Sequence, residues 1–355
     1  MKKFRKIHWF FKTIGLFIFI SLFWYLIIVF LPEILPTQIV TGEIRGIIFQ
    51  NQVWKKEIII SGDLITLPNV KVIIEPGTKV VINKSGDKNN LDVLPWHLKN
   101  GINTGLEERG ILKGEPFWDE KEKIMVLISN IYAKGEGDRI TMMSSGDGSP
   151  YDVNLIKIWN GEISEANFSN YRRLEVGRNV IIKNSSFENT GDCSICISSG
   201  NPLIEGNIFK KNKKNYINIS NSSPLIKKNK FLEGEGDGIL IESSRNGAVR
   251  IFENQFQIPS KKSIIVQADL PIYISENDFG LGDIELPCRN QVRLINNIIS
   301  GKIIFKNVGT CSGEYKILEN YWEILNSESI LNARIQGVTD KFKVEIPRIL
   351  KNPPE

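Results

Sequence analysis

The chain has 355 residues, of which 41% are hydrophobic and 24% charged, so it is able to bury a core and is not disordered by composition. Its net charge of +5 comes from five cations that precede the first carboxylate, Glu33, because removing them leaves 40 basic against 40 acidic residues (45 − 5 = 40). The rest of the chain is therefore neutral, which argues against a nucleic-acid partner.

An apolar run follows the N-terminal cations. Residues 14–31, IGLFIFISLFWYLIIVFL, carry no charge, and as a helix they span roughly 27 Å, close to the thickness of a bilayer core. A signal peptide has a shorter apolar run and a small-residue cleavage site, whereas LPEILP follows here. We expect a basic cytoplasmic tail at 1–13, an uncleaved transmembrane helix at 14–31 and an extracytoplasmic domain from about residue 37, with the membrane as a partner.

Residues 37–83 contain the first tract of alternating apolar residues and predict the first coil of a strand-rich domain. Residues 84–124 break this pattern, and we treat them as an inserted loop. A loop of this length is unusual inside a compact domain and is often functional. Its candidate binding residues are Trp96, His97, Trp118, Asp119 and Glu120.

Residues 125–322 contain an internal repeat. An aliphatic residue is followed three places later by Asn and two places after that by a large apolar residue, which we call the hub. Eight hubs lie between positions 168 and 322, so the average interval is (322 − 168)/7 = 22 positions. The six units with the Asn are Ile204-Asn207-Phe209, Ile226-Asn229-Phe231, Ile251-Asn254-Phe256, Ile274-Asn277-Phe279, Leu294-Asn297-Ile299 and Ile317-Asn320-Trp322.

Short runs with period-two alternation lie between the hubs, which is typical of strands with one face against a core. Strands that recur this often leave no room for intervening helices, so the chain must wind and stack each strand on its counterpart one coil away. The sequence predicts an all-β, right-handed parallel β-helix solenoid of about 22 residues per coil. The hub side chains should stack inside it, and the Asn side chains should occupy turns, tolerate left-handed backbone and form a ladder.

Residues 323–355 are expected to form a short C-terminal cap and tail. The Ser-Glu-Ser at 327–329 reads as a helix start, so we expect a short helix near 328–335 over the last coil.

Two tracts carry a family resemblance. WKKEIIISGDLITLPNVKVIIEPGTKVVI at 54–82 resembles the opening coil of bacterial right-handed parallel β-helix repeat proteins, which share the pectin-lyase-like fold. NYW at 320–322, followed by VEIPRILKNP, is similar to their closing cap. The resemblance covers about residues 46–352 and implies the fold; it implies little about activity, because this fold hosts many functions.

The four cysteines fall into two pairs. Cys193 and Cys196 form a C-x-x-C in an alternating strand, where a spacing of three points the side chains to opposite faces and argues against a redox or zinc role. Cys288 and Cys311 each precede the following hub by the same interval (299 − 288 = 322 − 311 = 11). This places them at the same position of neighbouring coils, within the range of a disulfide, and we expect them to be paired.

Catalytic and metal motifs are sparse. The chain lacks the Gly-His-Gly of polygalacturonase-like hydrolases and the Asp-His of pectate lyases, and it has two histidines in all. Glu233, Glu235 and Asp237 are weak candidates for calcium, although such Gly-rich acidic stretches are more often turns, and no cofactor is expected.

Two function classes remain. The first is a membrane-anchored extracytoplasmic β-helix that binds glycan, or another cell-envelope component, or acts as a surface spacer. The alternative is a carbohydrate-active enzyme, a polysaccharide lyase or glycoside hydrolase, using carboxylates beside the 84–124 loop. An enzyme should show two carboxylates converging in a cleft with raised pKa values, whereas a binding protein should show aromatic and amide side chains along its surface.

Overall fold

The structure is a computed structural model that describes residues 2–83, 124–145, 155–243, 247–258, 261–268, 271–288, 292–306, 313–322, 327–339 and 341–353. Within these ranges lie two helices, α1 (Lys2–Ile34) and α2 (Ser327–Arg334), and 27 strands. The strands are β1 (Gln38–Ile48), β2 (Gln52–Thr66), β3 (Lys71–Ile74), β4 (Lys79–Ile82), β5 (Met125–Lys134), β6 (Ile140–Ser144), β7 (Leu155–Ser164), β8 (Ala166–Lys183), β9 (Ser186–Ile197), β10 (Leu203–Glu205), β11 (Ile208–Lys210), β12 (Asn215–Ser220), β13 (Leu225–Lys227), β14 (Lys230–Phe231), β15 (Asp237–Ser243), β16 (Val249–Phe252), β17 (Gln255–Phe256), β18 (Lys262–Val266), β19 (Ile272–Ser275), β20 (Asp283–Pro287), β21 (Val292–Ile295), β22 (Ile303–Lys306), β23 (Gly313–Lys316), β24 (Asn320–Tyr321), β25 (Ile335–Gln336), β26 (Phe342–Glu345) and β27 (Ile349–Leu350).

Helix α1 exposes large apolar side chains; Phe17 is 72% and Phe19 66% exposed. In the part of the chain that the structure describes, no helix has the length and apolar character required to cross a membrane. The structure therefore gives no support to the transmembrane helix expected at 14–31, which stays a prediction. The C-terminal end of α1 contacts the turns that precede β2 and β3, because the side-chain amides of Asn51 and Asn69 donate to the Pro32 and Val29 carbonyls at 2.9 and 3.4 Å.

The strands pair in parallel, each with its counterparts one coil earlier and one coil later, and they form three faces. Face A contains β3, β10, β13, β16, β19 and β21; face B contains β4, β6, β11, β14 and β17; face C contains β12, β15, β18, β20, β22 and β25. Longer strands such as β2 and β8 bend from one face to the next. The chain is thus a parallel β-helix whose core lies between the three faces.

The predicted hub stack is confirmed. The rings of consecutive hub phenylalanines lie 4.6–5.1 Å apart, centroid to centroid, with interplanar angles of 6–23°. Stacking in register sets this spacing, because neighbouring strands are about 4.8 Å apart. The stack consists of Phe168, Phe187, Phe209, Phe231, Phe256 and Phe279, all buried.

The predicted asparagine ladder is also confirmed. At each of the five steps between consecutive rungs, the amide nitrogen of one asparagine donates to the amide oxygen of the asparagine one coil later, at 2.9–3.1 Å. The same oxygen also accepts the backbone N–H of the earlier asparagine. All six side chains are buried with these bonds made, which favours a structural role. The rungs are Asn207, Asn229, Asn254, Asn277, Asn297 and Asn320.

One expectation about the ladder is wrong. The left-handed backbone falls on the residue before five of the six ladder asparagines, for example at Glu253 and Glu276 with φ of 55° and 58°, and not on the asparagine itself. The asparagine side chain points inward, so the preceding residue makes the sharp turn from face A to face B. Because this turn is exposed, it accepts residues of different types.

Insertions enter the fold at the corner between faces B and C. The loop predicted at 84–124 leaves after β4 on face B, and the chain returns at Ile124, which is buried in the core. Residues 84–123 lie outside the described residues, and so do Trp96, His97, Trp118, Asp119 and Glu120. The coils on either side pair normally, since Ile74 on β3 is in register with Ala133 on β5.

The helix predicted near 328–335 is present as α2, but it does not end the solenoid. After α2, strands β25, β26 and β27 pair in parallel with β22, β23 and β24, so residues expected to form a cap add another coil. Ile330 of α2 is fully buried in the main core. The helix is therefore held at the B–C corner by packing, and the chain continues past it.

Candidate functional site

A row of amide side chains lies on the outer surface where face C turns into face A. Asn130, Asn160 and Asn179 occupy the same register position on β5, β7 and β8, so successive amides are about 4.8 Å apart. Asn130 donates to the Val70 carbonyl at 3.1 Å. The amides of Asn160 and Asn179 make no hydrogen bond to other described residues and remain open to a ligand.

Trp159 lies beside this row and is 40% exposed. It occupies a register break between Ile158 and Asn160, where the strand bends and turns consecutive side chains outward. The next coil packs against the Trp159 backbone through Gly177, whose Cβ, if present, would be 2.7 Å from the Trp159 carbonyl oxygen. We call Asn130, Trp159, Asn160 and Asn179 the corner surface.

A buried ion pair supports Trp159. Lys157 Nζ is 2.8 Å from a carboxylate oxygen of Glu175 on the next coil, and both residues are 8% exposed although they point out of face C. The Lys157 ammonium also lies 5.2 Å from the centroid of the Trp159 ring, within the range of a cation–π contact. Arg173 adds a second cation, 3.7 Å from Glu175. These contacts restrict the orientation of the indole.

A second ionic group lies one coil further along. Asp192 pairs with Arg172 at 2.6 Å and with Lys214 at 2.7 Å. Burial by itself would raise the pKa of Asp192, but hydrogen bonds and charge from Lys214 and Arg172 outweigh it and lower the pKa below its ordinary value. The carboxylate is therefore ionised at neutral pH.

The sequence-based view of the C-x-x-C is corrected. Cys193 and Cys196 form a disulfide with their Cα atoms 5.8 Å apart, whereas three residues of straight strand would span about 10 Å. The extra residue of a bulge explains the difference, because Arg173 and Glu175 of β8 pair with Cys193 and Cys196 of β9. Counting alternation through this bend gave the wrong faces.

The second cysteine pair is open. Cys288 is engaged in a disulfide. Its predicted partner, Cys311, lies outside the described residues, so the Cys288–Cys311 pairing stays a prediction.

Lysines keep two of the described carboxylates in the ionised form. Hydrogen bonds from Lys210 and Lys211 lower the pKa of Glu188, and a hydrogen bond from Lys227 lowers that of Glu205. These groups are ionised and unsuited to donate a proton at neutral pH.

A raised carboxyl pKa occurs at Glu314, mainly because its side chain hydrogen-bonds the carboxylate of Glu345. The two side chains are 39% and 49% exposed on neighbouring strands β23 and β26, on open surface rather than in a cleft. The enzymatic alternative, which uses carboxylates beside the 84–124 loop, is left untested by the described residues.

The weak calcium candidates are engaged with lysines. Glu235 pairs with Lys213, and the Asp237 carboxylate accepts the backbone N–H of Lys262 at 2.9 Å. Glu233 and Glu235 line an open cavity of about 600 Å³ together with three lysines. Among the described residues, no group of three or more His, Cys, Asp or Glu side chains is placed to hold a metal ion.

The corner surface was not found in the sequence. Asn160 and Asn179 each lie eight places before a hub (168 − 160 = 187 − 179 = 8), but they fall outside the aliphatic–Asn–hub pattern. Comparing outward positions between hubs would have paired these two amides, whereas Asn130 precedes the first hub and joins them through strand register.

Comparison with known proteins agrees with the parallel, coiled architecture. Residues 128–279 match the family model described as the right handed beta helix region. Searches of curated proteins and of solved structures gave no match. The match spans the coils that carry the corner surface, the phenylalanine stack and four rungs of the asparagine ladder, and so this chain carries a right-handed β-helix region.

Proposed function

We propose that the protein is a membrane-anchored, extracytoplasmic β-helix that binds a glycan chain at its corner surface. The observation that carries this proposal is the row of three amides beside the exposed Trp159 ring. An amide offers both donors and an acceptor to sugar hydroxyls, and an aromatic ring offers a flat apolar surface to the sugar ring. Because the amides repeat along the solenoid axis, an extended polymer fits better than a single sugar.

The non-catalytic reading is supported by ionised carboxylates on faces B and C and at the corner between those two faces. Asp192 and Glu188 have lowered pKa values, and Glu175 is in a buried ion pair with Lys157. This arrangement positions side chains and provides no proton donor for bond cleavage.

Membrane anchoring is supported by the sequence of α1 and by its exposed apolar side chains, including Leu16, Phe17 and Phe19. Cations precede this segment and the β-helix follows it, which favours a cytoplasmic N-terminus. Protease added to cells stripped of outer layers should remove the β-helix and spare an N-terminal tag. Protection of the β-helix would contradict this orientation.

Glycan binding is tested with the full chain in nanodiscs and a panel of neutral and acidic polysaccharides, scoring retention and released products together. Trp159→Ala should weaken retention of the bound polysaccharide by about fivefold, the effect of losing roughly 1 kcal/mol of aromatic contact. The double change Asn160→Ala and Asn179→Ala should weaken it by a similar factor.

Ile208→Ala is the matched control, because Ile208 is 39% exposed on face B, away from the corner. Equal weakening by the control, or full retention by folded Trp159→Ala, would show that the ligand binds elsewhere. Release of shortened products would favour the enzymatic alternative instead.

A further inference from the structure

A continuous column of outward side chains runs along the middle of face A. Each member is in register with the next from the first coil to the eleventh. Most members are aliphatic or aromatic, although the column faces solvent. In chain order they are Ile39, Val53, Ile73, Tyr132, Glu162, Ile181, Leu203, Leu225, Arg250, Tyr273 and Arg293.

Several of these side chains are strongly exposed for their type. Ile39 is 65%, Ile73 41%, Tyr132 41% and Tyr273 40% exposed. A contiguous apolar stripe of this length on a soluble surface is typical of an interaction site, whereas isolated exposed apolar residues are ordinary.

The order of the column is self-complementary around Leu203. One step away on either side are Ile181 and Leu225, and two steps away are Glu162 and Arg250. Three steps away are the two tyrosines, Tyr132 and Tyr273. Over these seven coils, reversing the column therefore places apolar opposite apolar, ring opposite ring and carboxylate opposite guanidinium. One step further out on either side, Ile73 faces Arg293.

We infer that a second copy of this chain packs its face A against face A in the antiparallel sense, with Leu203 on the two-fold axis. In such an isologous interface each unlike pair occurs twice, so Glu162 meets Arg250 of the partner copy at two symmetric positions. Two sheet faces stacked in this way lie about 10 Å apart.

The charges are suited to this pairing. Arg250 forms no ion pair with a carboxylate of the described residues, whereas most lysines on the same coils do, as in Lys227–Glu205 and Lys228–Glu253. Glu162 is held 3.0 Å from Lys134 and remains 31% exposed, so it is able to accept a second cation. The preference for a second copy over another partner rests on this match.

The position of α1 is compatible with the dimer. Asn51 and Asn69 tie the end of α1 to the corner between faces C and A. A two-fold axis that runs along the strand direction keeps both of these corners on the same side of the dimer. If α1 is an anchor, as proposed above, both anchors therefore leave toward one membrane.

The contact is small. Nine facing coils of about 4.8 Å and strands of about 11 Å give on the order of 450 Å² per copy, near the lower limit for a specific interface. Confinement of two anchored copies to one membrane raises their effective concentration and compensates for this. The dimer should therefore be measured with the full chain in membranes.

Cross-linking with a bismaleimide that spans about 10 Å tests the arrangement. Leu203→Cys should give a cross-linked dimer, and Ile208→Cys, which places a more exposed thiol on face B of the same coil, should not. Ile181→Cys should cross-link efficiently only when mixed with Leu225→Cys. Efficient cross-linking of Ile181→Cys to itself, or equal yields from Leu203→Cys and Ile208→Cys, would overturn the proposal.

A charge exchange gives a second readout that misfolding cannot imitate. In the Leu203→Cys background, Glu162→Arg or Arg250→Glu alone should lower the cross-linked fraction by about fivefold, because like charges then face each other. The double variant should restore it to within about twofold, since the charge pair is then re-formed with its sign reversed. Failure of the double variant to recover would rule out the Glu162–Arg250 contact.

Discussion

The two sides of face A differ in what determines their residues. The inner column repeats a single residue type, isoleucine, and all of its members are fully buried: Ile163, Ile182, Ile204, Ile226, Ile251 and Ile274. The outer column, on the same strands, contains aliphatic, aromatic, acidic and basic residues along the axis. The inner side only has to pack against an identical neighbour, so it carries the fold. The outer side is free of that requirement, and its order carries the information about partners.

The largest expected contrast is between the hub stack and the outer column. Phe231→Ala should lower the free energy of unfolding by about 3–5 kcal/mol, because the buried ring is lost between two stacked neighbours. Leu225→Ala, on the outer column of the same coil, should cost less than about 1 kcal/mol in the monomeric full chain. Denaturant titration of both variants measures the two losses in unfolding free energy, and equal losses would contradict the contrast between the hub stack and the outer column.

The predicted disulfide at the C-terminal end should come next. Cys288→Ser should cost about 3 kcal/mol if Cys288 pairs with Cys311, because that bond closes a loop of about 23 residues. Cys196→Ser is the matched control, since the Cys193–Cys196 bond joins residues only three apart and restricts the unfolded chain less. Peptide mapping without reductant tests the pairing directly, and a peptide with a free Cys311 thiol would exclude it.

A ladder rung should matter more than an outward asparagine. Asn254→Ala removes the acceptor for two donors of Asn229 and the donor to the Ile226 carbonyl, and should destabilise the fold by about 2–3 kcal/mol. Asn218→Ala, half-buried on the outside of face C, should cost less than about 0.5 kcal/mol. Comparable losses of stability in thermal unfolding would mean that a ladder asparagine contributes no more to stability than an outward-facing asparagine.

A substitution in the turn before Asn277 should stabilise the protein. Glu276 has a φ of 58°, a conformation that costs a side-chain-bearing residue roughly 1–2 kcal/mol and a glycine much less. Glu276→Gly should therefore stabilise the protein by about 0.5–1 kcal/mol, net of the entropy glycine adds to the unfolded chain. Ser275→Gly, at the last residue of strand β19, should instead destabilise it. A fall in melting temperature for Glu276→Gly would show that the turn depends on the Glu276 side chain.

The smallest effect concerns acid stability outside the core. The folded pKa of Asp192 lies below its ordinary value, so its contribution is present above the unfolded pKa and is lost as pH falls through the folded pKa. Asp192→Asn should narrow the difference in unfolding free energy between pH 7 and pH 3 by less than about 1 kcal/mol. An unchanged or wider difference would indicate that Arg172 and Lys214 do not stabilise the ionised carboxylate.

The fold was accessible from the sequence because inward positions repeat by residue type. The residue types found at Asn207 and Phe209 recur at equivalent positions of successive coils, because in-register stacking requires this recurrence. The left-handed turn position was missed because Gly206, Lys228, Glu253 and Asn296 share no chemical type and have only a positive φ in common. The final coil was missed because α2 interrupts it.

The candidate site was not accessible in the same way. Asn130 joins Asn160 and Asn179 only through strand register, because it precedes the first hub of the repeat, and Trp159 turns outward at a strand bend. The disulfide at Cys193 and Cys196 was misjudged for the same reason, since a bulge shifts the alternation that parity counting assumes. Register breaks determine which side chains point outward, and the sequence alone does not reveal where these breaks occur.

The insertion at the B–C corner has a consequence for how the chain folds. Ile74 and Ala133 stack directly although they are far apart in the sequence (133 − 74 = 59), whereas Ile204 and Ile226 are much closer (226 − 204 = 22). Closing the longer loop costs about 1 kcal/mol more chain entropy. Folding that propagates between neighbouring coils should therefore begin after residue 155 and reach β1–β4 last. Hydrogen exchange should accordingly be faster in β1–β4 than in the coils that contain the phenylalanine stack.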